Sequence, residues 1–225
     1  MEALCGTSGW SYEWNEGGSL DWYVKNSGLN AIELNSSFYS FPLPNFVRSW
    51  SKKGKALRWS IKVHRSITHI HMLNERSVHL FKRLIEAFMP MEDMIDWYLL
   101  QLPPHFSLGS RYRLERFLKE FKTVNIAVEF RNKEWYSVAE DLQGEFMIVS
   151  PDSPEIKGAI YEFNKTIYVR FHGRSAWYSH KYTKKELQEV ARNIIEKKPD
   201  RVYAFFNNDH DMLENAKEFE RLLLQ

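Results

Sequence analysis

The sequence predicts an α/β fold, a single (β/α)8 barrel of the TIM type, and three observations lead to it. Eight short apolar runs have the composition of β-strands, and most are separated by segments with helical periodicity. Such alternation of strand and helix indicates a parallel sheet with helices outside it. Eight units favour a closed barrel, and 225 residues lie near the short end of the length that such a barrel needs. We therefore expect residues 1–225 to form one TIM-like barrel domain.

The first half of the chain contains four predicted strands, over residues 4–9, 30–34, 57–64 and 95–102. Ser19 is a suitable N-cap for a short helix after the first strand, and an amphipathic segment begins at Asn45. Residues 74–88 form the clearest helix of this half, because Phe81, Leu84 and Phe88 recur at helical spacing. Two prolines at 103 and 104 end the fourth strand.

The second half contains the remaining predicted strands, over residues 126–130, 146–149, 166–171 and 201–206. Helices are predicted over residues 112–121, from a Thr183 cap to residue 197, and over 212–224. Residues 151–165 are too few, and too interrupted by glycine and proline, for a full helix. We therefore expect the barrel to be irregular between its sixth and seventh strands.

Composition limits the classes of partner. The 31 Lys and Arg residues and 29 Asp and Glu residues leave a formal net charge of only +2. No whole-molecule attraction to nucleic acid or anionic membrane follows, so any recognition of an anion must be local. Cys5 is the only cysteine, which excludes an intramolecular disulfide and a cysteine zinc cage. No signal peptide and no spanning apolar run is evident, so we expect a cytoplasmic protein without a membrane partner. The oligomeric state is left open.

Polar residues follow the apolar strands in pairs separated by two positions. Residues at i and i+2 face the same side of a strand, so each pair points one way. The pairs are Glu33 and Asn35, Lys62 and His64, Glu129 and Arg131, Arg170 and His172, and Asn207 and Asp209, while Gln101 and Asp152 end two further strands. A solvated rim or structural ion pairs would also give polar strand ends. Convergence from seven strands favours a pocket at the end of the barrel where TIM-type enzymes keep their sites.

The residue types suggest roles within this pocket. We expect acid–base catalysis from Glu33, Glu129, Asp152 and His172, because carboxylates near cationic groups take separated pKa values. We expect substrate binding by cationic, amide, acidic and aromatic groups, the cations holding a phosphate or carboxylate and the rings stacking on a sugar or base. These are Lys62, Arg131, Arg170, Asn35, Gln101, Asn207, Asn208, Asp209, Trp10, Tyr39 and Trp135, with Trp177 a further loop aromatic. A divalent metal ion on Glu129, Asp152, His172 or Asp209 would assist hydrolysis.

Several motifs together resemble the domain-of-unknown-function 72 (YecE-like) family. They occur in order at residues 6–12 (GTSGWSY), 32–39 (IELNSSFY), 100–104 (LQLPP), 128–131 (VEFR), 168–173 (YVRFHG) and 205–209 (FFNND). Each motif is short, but together they span nearly the whole chain. The resemblance implies a TIM-like barrel and assigns no reaction. The segment after Trp14 and the turn between Asp209 and Asn215 are shorter than in the family pattern, which affects rim loops and not strand ends.

Three functions are compatible with these residues. The cluster of Lys62, Arg131 and Arg170 favours a hydrolase of phosphoesters, nuclease-like in character, whose partner is an anionic small molecule or a nucleic acid. The first alternative is a carbohydrate-active hydrolase or isomerase that uses two carboxylates. The second alternative is a non-catalytic binding protein for an anionic metabolite. The sequence specifies neither the substrate nor dependence on a metal.

Overall fold

The computed structural model describes residues 1–142 and 144–225. Its strands form one sheet in the order β6-β5-β4-β3-β2-β1-β10-β9-β7, and every ladder along this path is parallel. The strands are β1 (Glu2–Thr7), β2 (Ala31–Leu34), β3 (Arg58–Lys62), β4 (Ile95–Leu102), β5 (Ile126–Phe130), β6 (Met147–Ile148), β7 (Ser150–Asp152), β8 (Glu162–Phe163), β9 (Thr166–Phe171) and β10 (Arg201–Phe206). The sheet curls into a nearly closed barrel, so the predicted TIM-like fold is confirmed.

The barrel is irregular where the sequence predicts it to be. The predicted sixth strand, over residues 146–149, is found as β6, which pairs with β5; after Val149 the chain continues as β7, which pairs with β9. No ladder joins these two pieces in the described chain, so the hydrogen-bonded sheet is open between them. Residues 153–165, all of them described, contain no helix. They contain β8, which forms an antiparallel hairpin with β9.

Helices cover the outside of the barrel and are held by the expected caps. The side chain of Ser19 accepts the Trp22 amide, and Thr183 with Glu186 forms a reciprocal capping box. The helices are α1 (Leu20–Asn26), α2 (Ser36–Tyr39), α3 (Pro44–Lys53), α4 (Glu75–Phe88), α5 (Arg111–Glu120), α6 (Glu134–Ser137), α7 (Ala139–Leu142), α8 (Lys184–Glu196) and α9 (Met212–Leu223). A single π-helical turn (Ser66–Ile70), which the sequence did not predict, follows β3. None of the described helices has the length and apolar character that crossing a bilayer requires.

Alternation along the strands divides the core in two. Outward-facing residues pack against the helices in the large outer core. Inward-facing residues fill the lumen, chiefly Leu4, Ala31, Trp97, Leu99, Ala127, Met147, Val149, Tyr168, Tyr203 and Phe205. Gly6 lies inside β1, where a Cβ atom would stand 2.3 Å from the carbonyl oxygen of Ala31. A side chain there would push β1 and β2 apart.

Candidate active site at the mouth of the barrel

A layer of charged side chains closes the lumen at the carboxyl ends of the strands. Glu33, Glu129 and Arg170 each come two positions after a lumen residue, so they point inward, and each is fully buried. Arg170 bridges the two glutamates. Its Nη2 lies 2.5 Å from Glu33 Oε1, and its Nη1 contacts Glu129 Oε2. These three residues form the charged layer, to which β2, β5 and β9 each contribute one side chain.

Neutral donors complete the surroundings of Glu33. The Ser8 hydroxyl donates to Oε1 at 2.7 Å and the Tyr168 hydroxyl donates to Oε2 at 2.8 Å. Ser60 lies 2.7 Å from the Tyr168 hydroxyl and extends the network across the lumen. Both oxygens of Glu33 are therefore engaged by hydroxyls or by Arg170. This arrangement suits a carboxylate that holds a neighbouring cation, rather than one that exchanges a proton with a substrate.

Glu129 is surrounded even more completely. Besides Arg170, its carboxylate contacts Arg131 Nε at 2.7 Å, Gln101 Nε2 at 3.1 Å and His172 Nε2 at 3.1 Å. Burial alone would raise the pKa of Glu129, but the positive charges of Arg131 and Arg170 hold it well below its usual range. An ionised carboxylate of such low basicity is a poor general base, so its contacts favour an electrostatic role over the predicted catalytic one.

His172 lies beside Glu129 as a neutral imidazole. Burial, opposed by the charge of Glu129, lowers the pKa of His172 to about 3. Nε2–H is best assigned as the donor to Glu129, which leaves Nδ1 to accept from Asn207 Nδ2 at 3.5 Å. The predicted role of His172 as a proton shuttle requires a pKa near neutrality, and this environment does not provide one.

Lys62 is a cationic residue at the mouth that, unlike Arg131 and Arg170, is not paired with a carboxylate. Only 7% of its surface is exposed, and Nζ lies 4.3 Å from the centre of the Phe38 ring. Among the described residues, Nζ has no hydrogen-bond or ion-pair partner. Burial and then the charge of Arg170 lower the pKa of Lys62 to about 7. Phe38 also packs edge-on against His69, with the two rings 5.0 Å apart. The pKa of His69 falls to about 4 because of its burial and the nearby Lys62 charge.

Arg131 forms one side of the rim with two aromatic residues. Its guanidinium lies 4.4 Å from the Trp177 ring and donates to the Tyr178 hydroxyl at 3.3 Å. Tyr178 has a left-handed backbone with φ of 64°, in the loop after β9. Arg131 is thus partly exposed, while its Nε end is held by Glu129.

The opposite side of the rim is a cavity of about 180 Å³, lined by residues that include Ser8, Trp10, Tyr12 and Asn35. Asn35 donates to the Ser8 carbonyl oxygen at 3.4 Å, and its own Oδ1 is buried without a partner among the described atoms. Trp10 packs edge-on against two other tryptophans and is half-buried. A larger cavity of about 400 Å³ lies at the opposite end of the barrel, against the start of β4 and β5.

The structure does not bring all the predicted site residues to the mouth. Asp152 follows Pro151 on β7 and faces the outer core, where Arg174 donates to both carboxylate oxygens at 3.0 Å and Tyr182 donates at 2.8 Å. The predicted convergence of Asp152 with the glutamates is therefore not found. The reason is its position in the alternation along the strand. The register partner of Asp152 on β9 is the outward-facing Phe171, and paired residues face the same side of the sheet.

Of four other predicted binding residues, two are buried and hydrogen-bonded within the protein, and two lie at the edge of the mouth. Trp135 is fully buried, stacked 4.3 Å from Phe130, and its Nε1–H donates to a main-chain oxygen at 2.7 Å. Asn208 is buried and donates to Asn215 Oδ1 at 2.9 Å. Tyr39 is two-thirds exposed. Asp209 is half-buried with a left-handed φ of 54°. The predicted roles of Trp135 and Asn208 in substrate binding are therefore corrected, because both side chains are buried and hydrogen-bonded within the protein.

The prediction omitted several residues that the structure places at the site: Ser8, Tyr12, Ser60, His69, Tyr168 and Tyr178. Two of these could have been found by extending the alternation one step back along the strand. Ser60 precedes Lys62 by two positions, and Tyr168 precedes Arg170 by two.

The fold and the mouth together define an α/β barrel with a buried, internally paired charged layer at the carboxyl ends of its strands. The chain belongs to the family described as "Protein of unknown function DUF72", whose model matches residues 4–225. No curated protein matches the sequence significantly.

Solved structures agree with this assignment. A DUF72 family protein from Enterococcus faecalis V583 superimposes with a TM-score of 0.84 at 20% identity, covering 99% of this chain and 96% of that one. A D-tagatose 3-epimerase-like protein gives a TM-score of 0.64 at 14% identity, covering 100% and 97%. A D-psicose 3-epimerase crystallised with D-fructose gives 0.54 at 9% identity, covering 99% and 96%. At these identities the likeness concerns the fold.

Proposed function

We propose that this chain is an enzyme that transfers a proton within a small hydroxycarbonyl compound, an isomerase-type reaction on a carbohydrate-like substrate. The observation that carries the proposal is the amine of Lys62, which lies at the mouth without a partner among the described residues, while the other buried charges are paired. A buried amine without a partner can exchange a proton with a molecule that reaches it at the mouth of the barrel.

The balance of charge in the mouth supports a substrate without a phosphate. Glu33 and Glu129 offset Arg170 and Arg131, so the layer and its rim arginine have no net charge to attract an anion. The phosphoester or nuclease-like hydrolase predicted from the sequence stays a prediction, with less support from the geometry. Of its three predicted phosphate-binding groups, Arg131 and Arg170 would have to leave carboxylates first, and Arg170 is fully buried.

A divalent metal also fits the arrangement poorly. Among residues 1–142 and 144–225, no three carboxylate, imidazole or thiol groups are placed together as metal ligands. The oxygens of Glu129 are occupied by cations, and Asp152 is directed away from the mouth. The proposed reaction therefore relies on side chains of the protein.

The sugar epimerase neighbours do not decide the substrate, because their likeness extends to the fold only. The epimerase chemistry for which those proteins are named nevertheless belongs to the reaction class that a proton-transferring amine could perform. Of the alternatives drawn from the sequence, a glycoside hydrolase would need a protonated carboxylic acid, and the low pKa of Glu129 argues against it. An isomerase needs no such acid in the charged layer.

Deuterium exchange tests the proposal directly. Short hydroxyaldehydes, ketoses and aldoses are incubated with the protein in D2O from pH 6 to 9, and exchange at the carbon beside the carbonyl is followed by NMR. We expect exchange that rises with pH through about 7, as the Lys62 amine loses its proton. Lys62→Met should abolish it, whereas Lys55→Met, which removes an exposed lysine, should not.

Two results would overturn the proposal. The first is the absence of exchange above the buffer rate for every compound, including compounds that bind without turnover. The second is hydrolysis of a phosphoester or nucleic-acid panel by the wild type and its loss in Lys62→Met, which would restore the hydrolase prediction.

A further inference from the structure

We propose that Lys62 is a covalent site, at which its amine forms an imine with the carbonyl group of a small aldehyde or ketone. This inference rests on the proposed function for the class of substrate, and adds the bond through which that substrate is held. Three observations support it: the amine is buried, no hydrogen-bond acceptor contacts it among the described residues, and charged side chains surround it.

The amine is enclosed but reachable. Lys62 is the one buried lysine among the described residues, and the others are exposed or half-buried. Its Nζ is not among the fully enclosed polar atoms that lack a partner, a group that does include Arg170 Nε and Asn35 Oδ1. Nζ therefore retains some solvent exposure, although only 7% of the surface of Lys62 is exposed. Desolvation beside another cation is how protein lysines become nucleophiles.

Two features favour a free amine over a salt bridge. Nζ lies over the Phe38 ring, so its ammonium form has a cation–π contact in place of a carboxylate partner. Arg170 also occupies Glu33 and Glu129, so neither carboxylate is free to capture the lysine. The lowered pKa of Lys62, at about 7, agrees with this geometry and leaves about half of the amine unprotonated near neutrality.

The step balances without any redox partner. The Nζ lone pair attacks the carbonyl carbon, the carbonyl π electrons move to oxygen, and a carbinolamine forms after proton transfer from nitrogen to oxygen. A proton from solvent then converts the hydroxyl to water, which leaves as the C=N bond forms and gives the protonated imine. Loss of the proton on nitrogen gives the neutral imine and returns the proton to solvent. The sum is amine plus carbonyl giving imine plus water.

Charges near Lys62 would assist the product. A protonated imine carries positive charge at the former Nζ, and the negative charges of Glu33 and Glu129 act on that position. They stabilise the cation without needing to bind it directly. A protonated imine withdraws electrons from the adjacent carbon, which makes its proton more acidic. That is the chemistry that the proposed proton transfer requires.

Reductive trapping on the wild-type protein tests the covalent site. Glycolaldehyde or dihydroxyacetone is added with sodium cyanoborohydride at pH 7, and modified lysines are located by peptide mass spectrometry. Each trapped lysine gains the mass of the carbonyl compound minus one oxygen atom. We expect Lys62 to be modified at least roughly tenfold faster than Lys55, because its lowered pKa leaves about half of the Lys62 amine unprotonated at this pH. Lys62→Arg, which retains a cation, serves as the control that cannot form an imine.

The outcomes separate this inference from the proposed function. Trapping at Lys62 together with deuterium exchange supports both. Exchange without preferential trapping overturns the imine and leaves proton transfer by the free amine. Trapping without exchange supports the covalent site and overturns the isomerase-type reaction. Equal modification of Lys62 and Lys55, with no exchange, overturns both.

Discussion

Replacing Arg170 by methionine should destabilise the protein in a way that depends on pH. The substitution keeps much of the side-chain volume and removes the positive charge between Glu33 and Glu129, both of which are fully buried. Glu129 retains Arg131, so most of the penalty falls on Glu33, which keeps only the hydroxyls of Ser8 and Tyr168. Loss of one partner from a buried ion pair costs about 3–5 kcal/mol.

Protonation of the carboxylate limits this cost and makes the stability of the variant depend on pH. A buried carboxylate without its cation can bind a proton, which at pH 7 costs about 3.7 kcal/mol relative to an ordinary glutamate pKa of roughly 4.3. Folded Arg170→Met then holds a proton that the unfolded chain lacks. Its stability should consequently fall by up to about 1.4 kcal/mol per pH unit between pH 5 and 8. In the wild type, Glu129 has a depressed pKa, so its contribution is fully present above the unfolded pKa and disappears only at lower pH.

Urea denaturation of wild type and Arg170→Met at pH 5, 7 and 8 measures the difference. Arg111→Met is the matched control, since that arginine is exposed and pairs with Glu115 at the surface. The control should change the free energy of unfolding by less than about 0.5 kcal/mol at every pH. A loss for Arg170→Met that is below about 1 kcal/mol, or equal at pH 5 and pH 8, would refute the reasoning.

Three further substitutions test how the barrel is held together, each by chemical denaturation at pH 7. Gly6→Ala should cost about 1–3 kcal/mol, because the new methyl group would collide with the Ala31 carbonyl oxygen; an unchanged midpoint would contradict the close strand approach. Asp152→Asn should cost about 3 kcal/mol, because it leaves Arg174 half-paired in the outer core. Deuterium exchange into the substrate should persist in this variant; loss of that exchange with intact stability would support the predicted catalytic role of Asp152. Trp135→Phe should cost about 1–3 kcal/mol, since a buried main-chain oxygen loses its donor, and it should leave substrate affinity unchanged; weaker binding without loss of stability would support the stacking role.

Strand alternation explains why much of the site could be predicted. Glu33, Glu129 and Arg170 end apolar strands, and a period of two places each on the lumen side. The same rule also accounts for two of the errors. Val149 faces the lumen, so Asp152, three positions later, faces outward. Phe205 faces the lumen as well, so Asn208, three positions later, also belongs to the outward phase. Asp152 and Asn208 were included only because they stand next to strand ends.

The pairing of charges could not be predicted in the same way. Glu33, Glu129 and Arg170 lie on β2, β5 and β9, which are far apart in the sequence and meet only across the closed lumen. The sequence shows both candidate acids and candidate cations at the mouth, but it does not show which of them neutralise each other. An anion-binding site and a self-neutralised layer therefore look alike until the barrel is closed. This ambiguity underlies the prediction of a phosphoester hydrolase.

The charged layer is better understood through its effect on Lys62 than through stability. A buried ion triad recovers little more than the cost of taking its charges out of water, and apolar side chains of similar volume could close the lumen as well. Arg170, however, does two things that an apolar residue could not. It occupies both glutamates, so that neither forms a salt bridge with Lys62, and it adds a positive charge that disfavours the ammonium. The glutamates in turn keep the mouth from becoming strongly cationic. The layer thus maintains a lysine whose amine is available near neutral pH, in a mouth that has little attraction for anions.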